Sequence, residues 1–232
     1  MLEPERQIEA PRGSFLGHVN VVMLTYALDG VLAFASGVLV ALALGPAGRG
    51  AFALFIVSAA LAQMLLGIGF GNAAVYFINK RELALRDVVS AAHVVTLASL
   101  AIMAAAVAAM APWAGDRLLG GHVSPWLLIA AVPMLIYASA LRVLLQALSR
   151  FVEMGVATIV QPLVMLALVA ADCAFGDASP SRMVAFWILS NGAAAAVSLA
   201  CVGLSSVDVA QIVRPRWVVL RKLARFGVQG EA

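Results

Sequence analysis

Six long apolar stretches, joined by short polar connections, limit what this chain can fold into. Each stretch exceeds the roughly 20 apolar residues that cross a hydrocarbon core about 30 Å thick. A soluble core helix is rarely this long or this apolar on every face. The stretches cover residues 16–44, 51–79, 88–111, 125–148, 151–171 and 183–204. We therefore expect an all-α polytopic membrane protein with six transmembrane helices, packed as one bundle because the connections are short.

Lys and Arg residues divide unevenly between the two ends of these helices. The N-terminal tail, the second and fourth loops and the C-terminal tail share one side, which holds twelve Lys and Arg residues against three on the other. The twelve are Arg6, Arg12, Lys80, Arg81, Arg86, Arg142, Arg150, Arg214, Arg216, Arg221, Lys222 and Arg225. The three are Arg49, Arg117 and Arg182. Because cytoplasmic loops carry such an excess, we expect a multi-pass protein of the cell (inner) membrane with both termini in the cytoplasm.

Composition places the chain in the membrane class and argues against several other functions. Hydrophobic residues make up 63% of the chain, charged residues 12%, and the mean hydropathy is +1.01. The net charge of +3 is carried beside the predicted membrane ends, which favours the lipid bilayer over nucleic acid as the partner. The chain has no GxSxG, P-loop, HExxH or CxxC motif, and Cys173 and Cys201 have no metal-ligating neighbours. We expect no enzymatic activity, no cofactor and no metal.

Two segments at helix ends have their own patterns. Residues 45–50, Gly-Pro-Ala-Gly-Arg-Gly, predict a tight turn between the first two helices. Within 213–227, Trp217 and Leu220 fall on one helical face while Arg221 and Arg225 fall on another. That pattern is typical of a helix lying on the membrane surface.

Three stretches carry patterns of helix ends and turns that can be compared with a known family. They are Leu-Gly-Pro-Ala-Gly-Arg-Gly-Ala-Phe-Ala-Leu at 44–54, Gly-Ile-Gly-Phe-Gly-Asn-Ala-Ala-Val-Tyr-Phe at 67–77, and Leu-Leu-Gln-Ala-Leu-Ser-Arg-Phe at 144–151 followed by Gln-Pro-Leu at 161–163. In this order they resemble the N-terminal half of the oligosaccharide flippases. That family is the polysaccharide-export branch of the superfamily that also holds the multidrug and toxic compound extruders and the lipid II flippases. The chain departs from many relatives at Ala43 and Leu44, where they carry a basic residue.

The resemblance implies a MATE-like fold with two six-helix lobes, of which this chain is the first. It implies a cytoplasmic N-terminal tail at 1–15, a six-helix transmembrane lobe at 16–204, and a cytoplasmic amphipathic segment at 205–232. The last segment would lead towards a second transporter lobe, the missing C-terminal half, which is therefore an expected partner. The expected substrate is a lipid-linked oligosaccharide carried on a polyprenyl pyrophosphate.

Ionisable groups at membrane depth are costly, so Asp29 and Arg142 are candidate site residues. Asp29 lies in the middle of the first span, where it could bind H+ or Na+ or line a cavity; alternatively it stays protonated or hydrogen-bonded between helices. Multidrug-extruder relatives also use an acidic residue on the first helix. Arg142 shares a helical face with Gln146 and could hold a pyrophosphate through paired hydrogen bonds, or extend to the lipid headgroups instead.

Three amides inside the spans complete the candidates: Asn72, Gln161 and Asn191. An amide at membrane depth can hydrogen-bond the hydroxyl groups of a sugar, or it can hydrogen-bond a neighbouring helix. Both roles stay open for these three side chains.

The predicted function is that of a transporter lobe that flips a lipid-linked oligosaccharide across the membrane by alternating access during polysaccharide biosynthesis. Three alternatives remain. They are an ion-coupled drug or cation antiporter of the same superfamily, an integral-membrane protein of glycan assembly, and an inactive truncated product.

Overall fold

The computed structural model describes residues 15–67, 70–114, 123–175, 178–202 and 217–229, and within these ranges the chain is helical without strands. The helices are α1 (Phe15–Leu66), α2 (Phe70–Asn79), α3 (Leu85–Ala114), α4 (Leu127–Ala147), α5 (Phe151–Phe175), α6 (Pro180–Val202) and α7 (Trp217–Gln229). The all-α prediction is confirmed. Almost all of the predicted N-terminal tail, and residues 203–216 and 230–232, lie outside the described residues.

Five of the described helices are long and apolar enough to cross a membrane, namely α1, α3, α4, α5 and α6. The chain is thus a multi-pass membrane protein, but the predicted count of six separate spans is not confirmed. The reason lies in α1, which contains the first predicted span and more than half of the second as one helical element.

Gly45 divides α1 into two arms, residues 15–44 and 46–66. Its φ of 65° and ψ of −176° are non-helical, whereas Pro46 and the residues after it are helical again. The turn predicted over 45–50 is therefore made by one residue. At about 1.5 Å per residue the arms measure about 45 Å and 31 Å, so each is as long as a membrane is thick.

The helices α5 and α6 run antiparallel, and polar contacts join them at both ends. At one end Arg182 Nη1 lies 2.8 Å from Asp172 Oδ1. At the other end Arg150, just before α5, donates a hydrogen bond to the Cys201 carbonyl near the end of α6. We name these two ends of the bundle the Gly45 end and the Arg150 end.

The first arm of α1 runs along α5 in the parallel sense. Near the Arg150 end, Thr25 packs so tightly on α5 that a Cβ added to Gly155 would lie 2.6 Å from Thr25 Oγ1. Fifteen residues later along the arm, Val40 is buried with Met165 and Val169. The first arm therefore ends, like α5, at the Gly45 end.

The second arm of α1 runs along α6, again in the parallel sense. A Cβ added to Gly48 would lie 3.4 Å from Pro180 Cγ at the start of α6. Two turns further, the rings of Phe55 and Trp187 meet edge to face at 6.2 Å between centroids. Since α5 and α6 are antiparallel, the two arms of α1 run in opposite directions and Gly45 makes a hairpin.

The two largest apolar clusters of the described residues lie at different levels along the bundle. The core nearer the Gly45 end joins the second arm of α1 to α3, α4 and α6 through residues such as Phe55, Val107 and Val132. The core nearer the Arg150 end joins α2 to α3, α4, α5 and α6 through residues such as Ala74 and Leu144. Large apolar side chains on the first arm point away from both cores, as in Phe34, which is 74% exposed, and such an outer surface suits contact with lipid.

The second predicted span ends differently from the expectation. Its helix stops at Leu66, and a separate helix of ten residues, α2, continues it towards the Arg150 end. Glycines at positions 67 and 69 weaken a helix there, because glycine is among the poorest helix formers. The face of α2 that carries Ala73, Ala74 and Phe77 is buried.

The last described helix, α7, packs on α2 and α3 at the Arg150 end. Val219 and Leu223 are buried against Phe77 and Ala91, with Phe226 beside them. Trp217 lies on the opposite side and is 75% exposed. The helix therefore has an apolar contact with the bundle that the sequence pattern does not reveal, and its contact with the membrane surface stays a prediction.

Candidate functional site

Asp29 on α1 and Arg142 on α4 lie near enough for their charges to interact. Asp29 lies on the first arm of α1 and Arg142 lies nearly two turns from the end of α4, and both are half-buried. The Asp29 carboxylate and, to a smaller degree, the Tyr26 hydroxyl act electrostatically on the Arg142 guanidinium. The two charged groups are not among the contact ion pairs of the described residues, so their attraction acts over a longer distance.

Gln146 and Asn72 meet in a polar pocket one helical turn beyond Arg142. The pocket opens at the Arg150 end between α2, α4 and α7 and has a volume of about 530 Å³. Its walls are formed by Gly71, Asn72, Val75, Tyr76, Asn79, Lys80, Val143, Gln146 and Phe226.

The polar side of this pocket arises from the helical period of α2. Asn72, Tyr76 and Asn79 recur at spacings of four and three residues, so they share one face of the helix. The opposite face is buried against α3, α4 and α7. Because the apolar side must pack inwards, the amides and the hydroxyl are turned into the pocket.

Lys80 supplies the positive charge of the pocket. Its ammonium donates a hydrogen bond to the Tyr76 hydroxyl and lies 4.4 Å from the centre of the Tyr76 ring. That hydrogen bond raises the pKa of Lys80 above its usual value, so the side chain is charged at neutral pH. The ring of Phe226, on α7, stacks on the Tyr76 ring, with 4.5 Å between the two ring centres.

Asp29, Arg142, Gln146, Asn72 and Lys80 therefore follow one another from the middle of the bundle to its Arg150 end. We call this set of five residues the polar strip. Four of them are candidate residues predicted from the sequence; Lys80 is the exception, since the sequence indicates only its contribution to the charge asymmetry. Lys80 follows Tyr76 by four residues, so its side chain can reach the Tyr76 hydroxyl. This spacing is visible in the sequence, but it indicates a pocket only once α2 is known to end at Asn79.

The other two predicted residues, Gln161 on α5 and Asn191 on α6, do not line the pocket. Gln161 Nε2 is 3.5 Å from Ser190 Oγ, a long hydrogen bond across the two helices. Asn191 is buried and donates a 2.8 Å hydrogen bond to the Trp187 carbonyl of its own helix. A role in substrate binding stays a prediction for both.

Asp172 is a buried ionisable group that the sequence analysis passed over. Its Oδ1 accepts the hydrogen bond from Arg182 at the Gly45 end, and the side chain is 6% exposed. Asp172 lies near the end of an apolar run, and a carboxylate at such a position is usually interpreted as part of an exposed loop. The pair joins α5 to α6 at the Gly45 end, whereas the pocket lies at the Arg150 end.

Comparison with known proteins adds a family and a fold. Residues 16–229 match the model of a family described as "Polysaccharide biosynthesis protein". The solved structure of a MOP superfamily transporter from Pyrococcus furiosus superposes with a TM-score of 0.65 at 16% sequence identity, which shows a shared fold. The match covers 90% of this chain and 49% of that transporter, so the chain spans about half of its length. No curated protein matches the chain.

Proposed function

Because this chain belongs to the polysaccharide biosynthesis protein family of membrane transporters, we propose that it forms one lobe of a two-lobe flippase for lipid-linked oligosaccharides. The polar strip is the observation that carries this proposal. It is a set of hydrogen-bonding side chains, three of which line one pocket, on a lobe whose outer surface is otherwise rich in apolar residues. A polar head group can follow such a strip while its lipid tail stays beside the apolar surface.

Arg142 is the residue proposed to hold the pyrophosphate that joins glycan and lipid. A planar guanidinium can donate two parallel hydrogen bonds to phosphate oxygens, which makes it suited to this group. Asp29 attracts the same guanidinium. The phosphate would compete with that carboxylate, so binding is reversible, and a proton on Asp29 would favour the phosphate. This is the proposed place for H+ coupling.

The amides of Asn72 and Gln146 are proposed to bind the first sugar. Both are exposed and both can donate and accept hydrogen bonds. Two lobes rocking about the strip would present it first to the cytoplasm and then to the other side. A second lobe is the proposed partner. We also propose that both termini lie in the cytoplasm and that the protein lies in the inner membrane.

The ion-coupled antiporter is the second candidate, because an acidic residue does lie in the middle of the first arm. The neighbouring guanidinium disfavours it. An isolated carboxylate attracts a cation strongly, whereas Asp29 already interacts with the positive charge of Arg142. The pair is better suited to an anionic substrate than to a cationic drug or to Na+.

Substitution of Arg142 in a strain that lacks the chromosomal gene tests the main proposal. Arg142→Gln should lower surface glycan about tenfold or more, since hydrogen bonds to charged groups contribute roughly 1.5–3 kcal/mol. Lipid-linked glycan should accumulate on the inner leaflet at the same time. Arg225→Gln is the matched control, because Arg225 is an exposed arginine of α7 that does not line the pocket. Normal surface glycan in Arg142→Gln, with normal amounts of protein in the membrane, would refute the proposed role.

The Asp29→Asn variant separates the two candidates. For a flippase we expect reduced surface glycan and unchanged resistance to cationic drugs. Loss of drug resistance with full surface glycan would instead identify the antiporter.

A further inference from the structure

Lys80 is a cation that faces an open pocket without a carboxylate bound to it. The described residues form ion pairs between Arg150 and Glu153, Arg182 and Asp172, and Lys222 and Glu82, and Lys80 is in none of them. Its hydrogen bond goes to a neutral hydroxyl, that of Tyr76. Glu82, the nearest acidic influence on Lys80, is engaged by Lys222. The positive charge of the pocket is therefore available to an anion.

The groups around Lys80 are hydrogen-bond donors that suit phosphate oxygens. Asn72, Asn79 and Gln146 each present an amide at the exposed wall of the pocket. The Tyr76 hydroxyl can donate to an anion once Lys80 turns towards the same ligand. A metal cation would be repelled by Lys80, and an apolar ligand would leave these donors unpaired. We propose that this pocket binds a phosphate group, with Lys80 as its charged partner and α7 as its outer wall.

The position of the pocket makes a membrane lipid the expected source of this phosphate. The pocket lies at the Arg150 end, along α2 and beside Phe226 of α7, and it includes Lys80 just after the last residue of α2. Basic residues at membrane ends attract the anionic headgroups of the adjoining leaflet. A phosphate monoester on a lipid would place its acyl chains against the apolar outside of the lobe.

The outer wall of the pocket couples the ligand to α7. Phe226 lines the pocket, stacks on Tyr76 and meets Phe77 edge to face at 5.3 Å between ring centres. Lys222 fastens the same helix through Glu82 and through the face of the Phe77 ring. Because the wall exists only while α7 is docked, phosphate binding must favour docking, and docking must favour binding to the same degree.

This inference shares Asn72, Gln146 and Lys80 with the proposed transport path, but the two proposals are tested separately. Arg142 and Asp29 do not line the pocket, and binding is measured on purified protein in the absence of any glycan. A failed transport assay would leave it intact, and a failed binding assay would leave the flippase proposal intact.

Lipid binding to the purified full chain in phosphatidylcholine nanodiscs provides the test. Phosphatidic acid is added in steps, and native mass spectrometry counts the molecules that stay bound. Lys80→Met should weaken retention of phosphatidic acid about fivefold or more, because a charge-assisted hydrogen bond is lost. Arg81→Met is the matched control, since it removes an equal charge from the next residue, which does not line the pocket. Lys80→Arg should restore most of the retention.

Two further measurements complete the test. Inorganic phosphate at millimolar concentration distinguishes the source: if it displaces phosphatidic acid, the pocket takes free phosphate as well, and if it does not, the ligand is the lipid. Hydrogen exchange of residues 217–229 should slow when phosphatidic acid is added, and Phe226→Ala should weaken retention. Equal retention of phosphatidic acid by Lys80→Met and Arg81→Met would overturn the proposal. An equal rate of hydrogen exchange in α7 with and without phosphatidic acid would overturn it as well.

Discussion

At the scale of single residues, the close contact between Thr25 and Gly155 sets the distance between α1 and α5. The Thr25 hydroxyl donates a 2.8 Å hydrogen bond to the Val21 carbonyl, so it is held in place opposite Gly155. Thr25 is buried, which leaves no room on α5 for a side chain at this point. The first arm, and Asp29 one turn along it, owes its position to this contact.

Gly155→Ala should therefore destabilise the protein, although alanine is the better helix former. The gain in helix propensity is about 1 kcal/mol, whereas overpacking costs about 1–3 kcal/mol, so we expect a net loss of up to about 2 kcal/mol. In the Thr25→Ala background the clash is gone, and the same substitution should stabilise. The midpoint of thermal unfolding in detergent measures both effects.

Gly37→Ala is the control for this pair, because a Cβ at Gly37 meets no atom within 4 Å. It should raise the unfolding midpoint slightly. If Gly155→Ala behaves like Gly37→Ala in the native background, the contact with Thr25 does not limit the approach of the two helices.

Asp29 and Arg142 can be singled out from the sequence, because any charge inside an apolar run stands out. The sequence could not show that their charges interact, since that depends on how α1 and α4 pack. Lys80 was harder still to identify. A lysine after a predicted span has an ordinary explanation as a topology signal, and only the end of α2 beside Gln146 turns it into part of a pocket.

At the scale of elements, the hairpin in α1 depends on one backbone conformation. The φ and ψ of Gly45 lie in a region that is essentially restricted to glycine, where another residue costs about 1–3 kcal/mol. No atom lies within 4 Å of a Cβ built there, so the restriction comes from the backbone alone. The sequence placed the turn correctly within 45–50, but glycines at 45, 48 and 50 made its position ambiguous.

Gly45→Ala should lower the stability of the lobe by roughly 1–3 kcal/mol. Gly50→Ala, on the same helix and also with open space around its Cβ, should be neutral or stabilising. Thermal unfolding in detergent compares the two variants directly. Equal effects would show that the reversal of the chain does not require glycine at position 45.

The helix α7 illustrates a different limit of sequence reasoning. Its arginines and Trp217 predict a surface helix, and they are indeed exposed. The residues that dock it, Val219 and Leu223, belong to a second apolar face whose partner is α2. A pattern on one helix shows that a face is apolar, but whether lipid or protein covers it depends on the neighbours.

At the scale of the whole molecule, the orientation in the membrane is the main untested expectation. In a variant with Cys173→Ala and Cys201→Ala, single cysteines at Arg49→Cys and Arg225→Cys test it, since both positions are exposed and lie at opposite ends of the bundle. An impermeant thiol reagent applied to intact cells should label Arg49→Cys alone. Arg225→Cys should react only after permeabilisation. The reverse labelling pattern would show that the lobe has the opposite orientation, in which the pocket does not open towards the cytoplasm.

The single-residue hairpin at Gly45 also bears on how this surface can be attacked or recognised. Proteases and antibodies act preferentially on exposed, extended loops, because such segments can adapt to a foreign site. The chain here passes from one helical arm into the next with Gly45 as the single non-helical residue between them. At this point a cell would present neither a cleavage site nor a flexible epitope, and an inserted peptide tag would have to break the hairpin to be seen.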